Sequence, residues 1–171
     1  MKLVIVTHPA LHASSVNKLW VQELKKHPSS FHIHELYKEY PNLDFDINTE
    51  QKLLSNYNEI IFQFPIHWYS TPFALKKYID EVFTYGWAFG PEGNHLKGKK
   101  ISFAVSTGGL EGSYEAKDSI TISNLLNDFK LSFQYCGCEF KHLHIFYGAM
   151  YSPSTTVISS NAKKYVATFL D

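Results

Sequence analysis

Hydrophobic patterning along the chain predicts five strands. Lys2-Leu3-Val4-Ile5-Val6-Thr7 is a continuous apolar run rich in β-branched residues, the pattern of a strand buried on both faces. Ile60-Ile61-Phe62-Gln63-Phe64 and Ile101-Ser102-Phe103-Ala104-Val105 read the same way. Phe31-His32-Ile33-His34-Glu35-Leu36 and His142-Leu143-His144-Ile145-Phe146 alternate instead, so each has one wetter face. Between the strands the pattern predicts helices over about Val16–Lys26, Thr49–Ser55, Pro72–Thr84, Tyr114–Tyr135 and Ser154–Leu170. Thr49 is the expected cap of the second, and Ser70 or Thr71 of the third.

Strand and helix alternate throughout. This predicts an α/β architecture: one five-stranded parallel sheet with right-handed crossovers and helices on both faces. The continuously apolar strands belong in the centre and the alternating ones at the edges, which gives the order 2-1-3-4-5 of the flavodoxin-like arrangement. No linker divides the chain, so residues 1–171 are expected to form a single domain.

In such a sheet, ligands bind outside the carboxyl ends of the strands. The loops after strands one, three and four converge there. The first carries His8 and then Ser14, Ser15 and Asn17 at a helix start, where free N–H groups and neutral side-chain donors suit a phosphate. The second follows Pro65, which ends its strand, and presents Ile66, His67, Trp68 and Tyr69. The third is Ser106-Thr107-Gly108-Gly109, whose glycines admit a close approach to a ligand edge, with Tyr114 shortly beyond. Stacking aromatics beside backbone donors predict a flat aromatic guest. Trp87 and Phe89 lie in a Gly-rich loop and are expected to line the site or an interface. Phe62, Phe64, Phe73, Phe83 and Phe103 are expected in the core.

Composition narrows the chemistry. The 16 basic residues are all lysine and balance 16 acidic ones. Without arginine, nucleic-acid binding loses ground. Zero net charge also disfavours an acidic electron carrier. Neither a dinucleotide G-x-G-x-x-G turn nor a Walker loop is present. Nine histidines raise the question of a metal, but His32/His34 and His142/His144 fall on opposite edge strands without completing ligands and are expected to be solvated. No metal is predicted. Cys136 and Cys138 suggest no disulfide framework, no run is long enough to span a membrane, and a cytoplasmic protein is expected.

The segments DINTEQKLL, FQFPIHWYSTPFALKKYIDEVFTYGWAFG and STGGLEGSY, spread over most of the chain, make it similar to the flavodoxin-like NAD(P)H:quinone oxidoreductases of the DT-diaphorase type. It also resembles their shorter bacterial relatives, among them general stress proteins and ancillary subunits of potassium-efflux systems. That resemblance implies a noncovalent flavin, FMN as in the shorter relatives, with the FAD of the larger enzymes as the alternative. It implies ring contacts from Pro65, Ile66, Trp68 and Tyr69, a pyrimidine edge facing Thr107, Gly108 and Gly109, and a phosphate held by His8, Ser14, Ser15 and Asn17. Tyr114 matches the tyrosine that hydrogen-bonds the reduced flavin. The family's catalytic histidine position holds Ile120. The activity implied is ping-pong hydride transfer from NADH or NADPH to flavin and on to a quinone or similar electrophile, in a homodimer whose interface would receive Trp87 and Phe89. The alternative it implies is a flavin-binding regulatory subunit of a potassium-efflux transporter.

Overall fold

The computed structural model describes residues 1–115 and 120–170. All five strands pair in one parallel sheet of order β2-β1-β3-β4-β5: β1 Lys2–Val6, β2 Phe31–Glu35, β3 Glu59–Pro65, β4 Lys100–Ser106 and β5 Glu139–Phe146. The three continuously apolar strands are the inner ones, because only buried strands need both faces apolar. On one face α1 (Val16–Leu24) and α8 (Thr155–Leu170) cover Val4, Val6, Ile61 and Ala104. On the other, α3 (Ile47–Ser55), α4 (Phe73–Val82) and α7 (Asn127–Tyr135) cover Ile5, Phe62, Phe64 and Phe103. Short helices α2 (Leu36–Glu39), α5 (Gly112–Glu115) and α6 (Ile122–Leu125) and a 3-10 turn at Leu11–Ala13 complete the described helices.

Several expectations change in detail. The single helix expected over 114–135 is divided: α5 ends at Glu115, Thr121 caps a new start by accepting the Asn124 N–H at 3.1 Å, and α7 follows after Leu126; residues 116–119 lie outside the described residues. The cap of α3 is Asp46, not Thr49. Its carboxylate accepts the Thr49 N–H at 3.0 Å, a geometry that puts the acidic residue three positions upstream. Neither Ser70 nor Thr71 caps α4; Pro72 holds that place with no side-chain bond. Phe73, expected in the core, is 69% exposed: it opens α4 on the outward side of the helix, while Ala74 and Leu75 in the same turn take the buried side.

The edge histidines are not simply solvated. On β2, the His34 ring lies 3.0 Å from the carboxylate of Glu50, which is fully buried on α3 and accepts the Tyr40 and Tyr78 hydroxyls at 2.7 and 2.9 Å. His32 bonds the Tyr57 hydroxyl. On β5, His144 bonds Asn161 at 2.9 Å and stacks on Tyr165, whereas His142 is exposed. A polar residue on the partly wet face of an edge strand satisfies itself with whatever helix or loop covers that edge. Strand alternation alone does not reveal this. Among the described residues no cluster of metal-ligating side chains occurs, and no helix is long and apolar enough to cross a membrane.

Candidate functional site

The carboxyl ends of β1, β3 and β4 lead into a crevice of about 390 Å³. It is lined by His8, Ser14, Ser15 and Asn17 from the first loop and by Pro65, Ile66 and His67 from the second. Ser106, Thr107 and Gly108 come from the third. The convergence follows from strand order, since β1 and β3 are neighbours whose crossovers leave in opposite directions.

Each loop is built differently. In the first, α1 begins at Val16, so its first N–H groups have no intrahelical acceptor and face the crevice end of the helix. Ser14 Oγ accepts the Asn17 N–H at 3.0 Å. His8 Nδ1 accepts the Ala10 N–H at 3.1 Å, which leaves the proton of the neutral ring on Nε2. Burial, reinforced by the neighbouring His67 and His12, pushes the His8 pKa down, so the ring is a neutral donor there.

Asn17 departs from the expected role of open phosphate donor. It is 1% exposed, its Nδ2 donates to Ser106 Oγ at 2.8 Å, and its Oδ1 accepts from Gln63. The side chain is turned inward because α1 packs this turn against the sheet.

The second loop is a tight reversal. His67 N–H donates to Ser70 O at 2.9 Å and Ser70 N–H to His67 O at 3.0 Å. Trp68 and Tyr69 between them both have positive φ, 47° and 62°. Two successive left-handed residues define a type I′ turn, which favours Asn-Gly and strains bulky side chains. The rings are exposed, Trp68 to 94%. Aromatics held in such a conformation and left in solvent are a signature of a binding surface, where strain is tolerated for function. Replacing Trp68-Tyr69 by Asn-Gly is expected to raise the melting temperature of the ligand-free protein by several degrees. Each strained residue costs roughly 1–3 kcal/mol, and a chain of this size gains about 2–4 °C per kcal/mol. An unchanged or lower midpoint in scanning fluorimetry would refute the strain.

In the third loop, Thr107 Oγ1 accepts the Gly109 N–H at 3.2 Å and bonds the Tyr114 hydroxyl at 2.6 Å. Tyr114 therefore folds back over Gly109, where a Cβ would sit 3.0 Å from the phenol oxygen, though it is not among the residues lining the crevice. At Gly108 a Cβ would meet Met150 Sδ at 2.5 Å, the end of a flexible and exposed side chain that can move aside.

Met150 and Ala149 were not foreseen. They belong to a fourth loop, after β5, pinned by Gly148 N–H to Gly109 O (2.7 Å) and Ala149 N–H to Thr107 O (2.9 Å). The signal available was topological: every strand of a parallel sheet ends at this edge. Trp87 and Phe89 do not line the crevice. Trp87 stacks on His95, and Phe89 packs against Tyr135 over a separate groove with Ile79 and Phe83, because their loop descends behind α4. Ile120 is 60% exposed. A further groove, of about 370 Å³, shares His8 with the crevice, but two of its lysines are engaged: Lys25 with Glu35 at 3.3 Å and Lys18 with His12 O at 3.1 Å.

Comparison with known proteins agrees with this geometry. The profile described as flavodoxin-like fold matches residues 2–169. The chain belongs to the flavodoxin-like fold family. General stress protein 14 of Bacillus subtilis (strain 168) is 44% identical over 164 residues, 95% of this chain and 93% of that one. An uncharacterized NAD(P)H oxidoreductase of the same organism, YrkL, is 42% identical over 92% of this chain and 91% of its own length. Among solved structures, general stress protein 14 of Treponema denticola, crystallised in complex with FMN, superposes with a TM-score of 0.92 at 35% identity, covering 99% of each chain.

Proposed function

We propose that the protein is a flavin-dependent NAD(P)H:quinone oxidoreductase that holds FMN in the crevice and works as a homodimer. The observation that carries this reading is one crevice with two distinct ends. On one side are neutral donors at the start of α1; on the other are Pro65–His67 and Ser106–Gly108, which lead directly into the strained Trp68-Tyr69 turn and into Gly109. The size of the crevice falls in the range of small-ligand sites. The residues fit the mononucleotide. The α1 first-turn N–H groups, Ser14, Ser15 and His8 Nε2–H would take the phosphate without any cationic side chain. Trp68 and Tyr69 would stack on the ring, and Gly108 and Gly109 would let the backbone reach its polar edge. The name and the bound FMN of the two relatives described above support the same assignment.

Held by these residues, FMN would supply two-electron hydride chemistry between a reduced nicotinamide and a quinone or similar flat electrophile, in ping-pong half-reactions. The protein supplies orientation and charge. Trp68 and Tyr69 fix the plane against which donor and acceptor alternately lie. The Tyr114 hydroxyl, oriented by Thr107, donates toward the polar edge where negative charge grows. Trp68, Tyr69, Phe73 and Met150 are exposed around this edge, and a second protomer is what would cover them.

Purified protein is expected to be yellow, to release FMN rather than FAD on denaturation, and to reduce a simple benzoquinone with either nicotinamide. The kcat/KM values for NADH and NADPH are expected to lie within about 10-fold of each other, because no arginine is present to grip a 2′-phosphate. Sedimentation should show a dimer. Protein that binds FMN tightly but oxidises neither nicotinamide would replace the enzyme reading with the regulatory one. Colourless protein that refuses added FMN would end both.

A further inference from the structure

Beneath the crevice, a chain of buried polar groups crosses three structural elements. Gln63 projects from β3 toward α1, into a layer otherwise made of Val4, Val6, Ile61, Ala104 and the apolar sides of α1 and α8. It is fully buried. Its Nε2 donates to Asn17 O at 3.2 Å and to Asn17 Oδ1 at 3.3 Å. Asn17 Nδ2 in turn donates to Ser106 Oγ at 2.8 Å, and Ser106 O accepts the Ile66 N–H, also at 2.8 Å. The start of α1, the turn after β3 and the Gly-Gly loop after β4 are thus joined by side chains as well as by the sheet. Gln63 Oε1 and Thr7 Oγ1, both buried, have no hydrogen-bond partner among the described residues.

An amide in such a layer is not there for hydrophobic stability, since an apolar side chain of equal length would fill the same space without carrying an unpaired oxygen. It supplies direction. Apolar packing of α1 through Val16, Trp20 and Val21 tolerates small sliding along the sheet. A hydrogen-bonded amide at the helix's first turn does not, because a displacement of less than an ångström breaks the donor geometry. The consequence falls on the site. The separation between the anion-binding helix start and the Thr107–Gly109 loop is the dimension a phosphorylated ring ligand must match.

We propose that Gln63 is a positioning residue, which through Asn17 and Ser106 sets the phosphate end of the site at a fixed distance from the ring end. The proposal rests on the flavin reading above and predicts a signature that a merely structural role lacks. Riboflavin shares the ring but has no phosphate, so a misplaced helix start should penalise FMN alone.

The experiment compares FMN and riboflavin dissociation constants for the parent, Gln63→Met and Gln63→Glu. Methionine keeps the length and removes the donor. Glutamate keeps the shape and, held protonated by full burial in an apolar layer, keeps one donor toward Asn17, so it is the conservative control and is expected to hold both affinities near the parent's. In Gln63→Met, FMN affinity is expected to fall about 10-fold or more, the size of losing one buried donor, with riboflavin affinity within about 2-fold of the parent. Melting of the ligand-free proteins is followed in parallel. If Gln63→Met does not yield folded protein, Gln63→Leu, which also removes the donor, is measured in its place with the same expectation. Parallel weakening of both ligands, or an unchanged FMN-to-riboflavin ratio, overturns the positioning role while leaving the flavin reading intact. A parent that binds neither ligand overturns both.

Discussion

Tyr114→Phe is expected to reduce quinone roughly 100-fold more slowly than the parent, with FMN still bound. Tyr114 Oη sits 2.6 Å from Thr107 Oγ1, which is also bonded by the Gly109 N–H. That arrangement leaves the phenol aimed along the loop where backbone donors and a hydroxyl converge on one edge. Removing the hydroxyl leaves the ring packed over Gly109 and the Gly109–Thr107 bond in place, so the binding surface keeps its shape. What disappears is one oriented donor toward an edge that becomes more negative as electrons arrive. Deletion of a single donor of this kind costs on the order of 100-fold or more in kcat. The measurement is steady-state kcat beside the FMN dissociation constant. A variant as fast as the parent removes Tyr114 from the chemistry, and one that cannot hold FMN makes it a binding residue instead. Ile120 sharpens the test: it brings no ionisable group, so no histidine at that position can stand in for the tyrosine.

The sheet was legible because its signal is repeated. Three continuous apolar strands flanked by two alternating ones allow few parallel arrangements, and Leu3, Ile5, Phe62 and Phe103 take the buried places their pattern demands. The crevice followed from that order plus the residues at three strand ends. Side-chain direction at helix starts was not legible. Ser14 and Asn17 differ little as sequence signals and both line the crevice, yet the Asn17 side chain is turned inward to Ser106 and Gln63 by the packing of α1. Nor could pattern show that Trp87 and Phe89 descend behind α4, since loop aromatics carry no periodicity to orient them. Gln63 and Glu50 were equally hidden. A polar residue inside an apolar run reads as an interruption until its partner, distant in sequence, is known.

Glu50 gives the largest expected effect on stability. It is 0% exposed, accepts both tyrosine hydroxyls, and lies against His34, thereby joining α3, α4, β2 and the Tyr40 turn on the face of the sheet opposite Gln63. Burial alone would raise its pKa. The His34 ring and the hydroxyls of Tyr40 and Tyr78 more than offset that, and hold the carboxyl below its usual 4.5. A depressed carboxylate contributes stability above its unfolded pKa and loses it as the pH falls through the folded value. The parent is therefore expected to lose stability below about pH 4.5. Glu50→Leu should flatten the Glu50 part of that acid limb and lower stability at neutral pH. The buried Tyr78 hydroxyl left unsatisfied costs about 1–3 kcal/mol, and the part-buried Tyr40 hydroxyl less, together roughly 3–12 °C in a chain of this length. Melting curves at pH 7 and pH 4 decide it: a neutral-pH midpoint within about 2 °C of the parent would mean the network carries little. The FMN-to-riboflavin ratio should not move in this variant, because Glu50 touches no element of the α1 tie. Gln63 and Glu50 are both buried polar residues, but only the first is expected to alter what the crevice can tell apart.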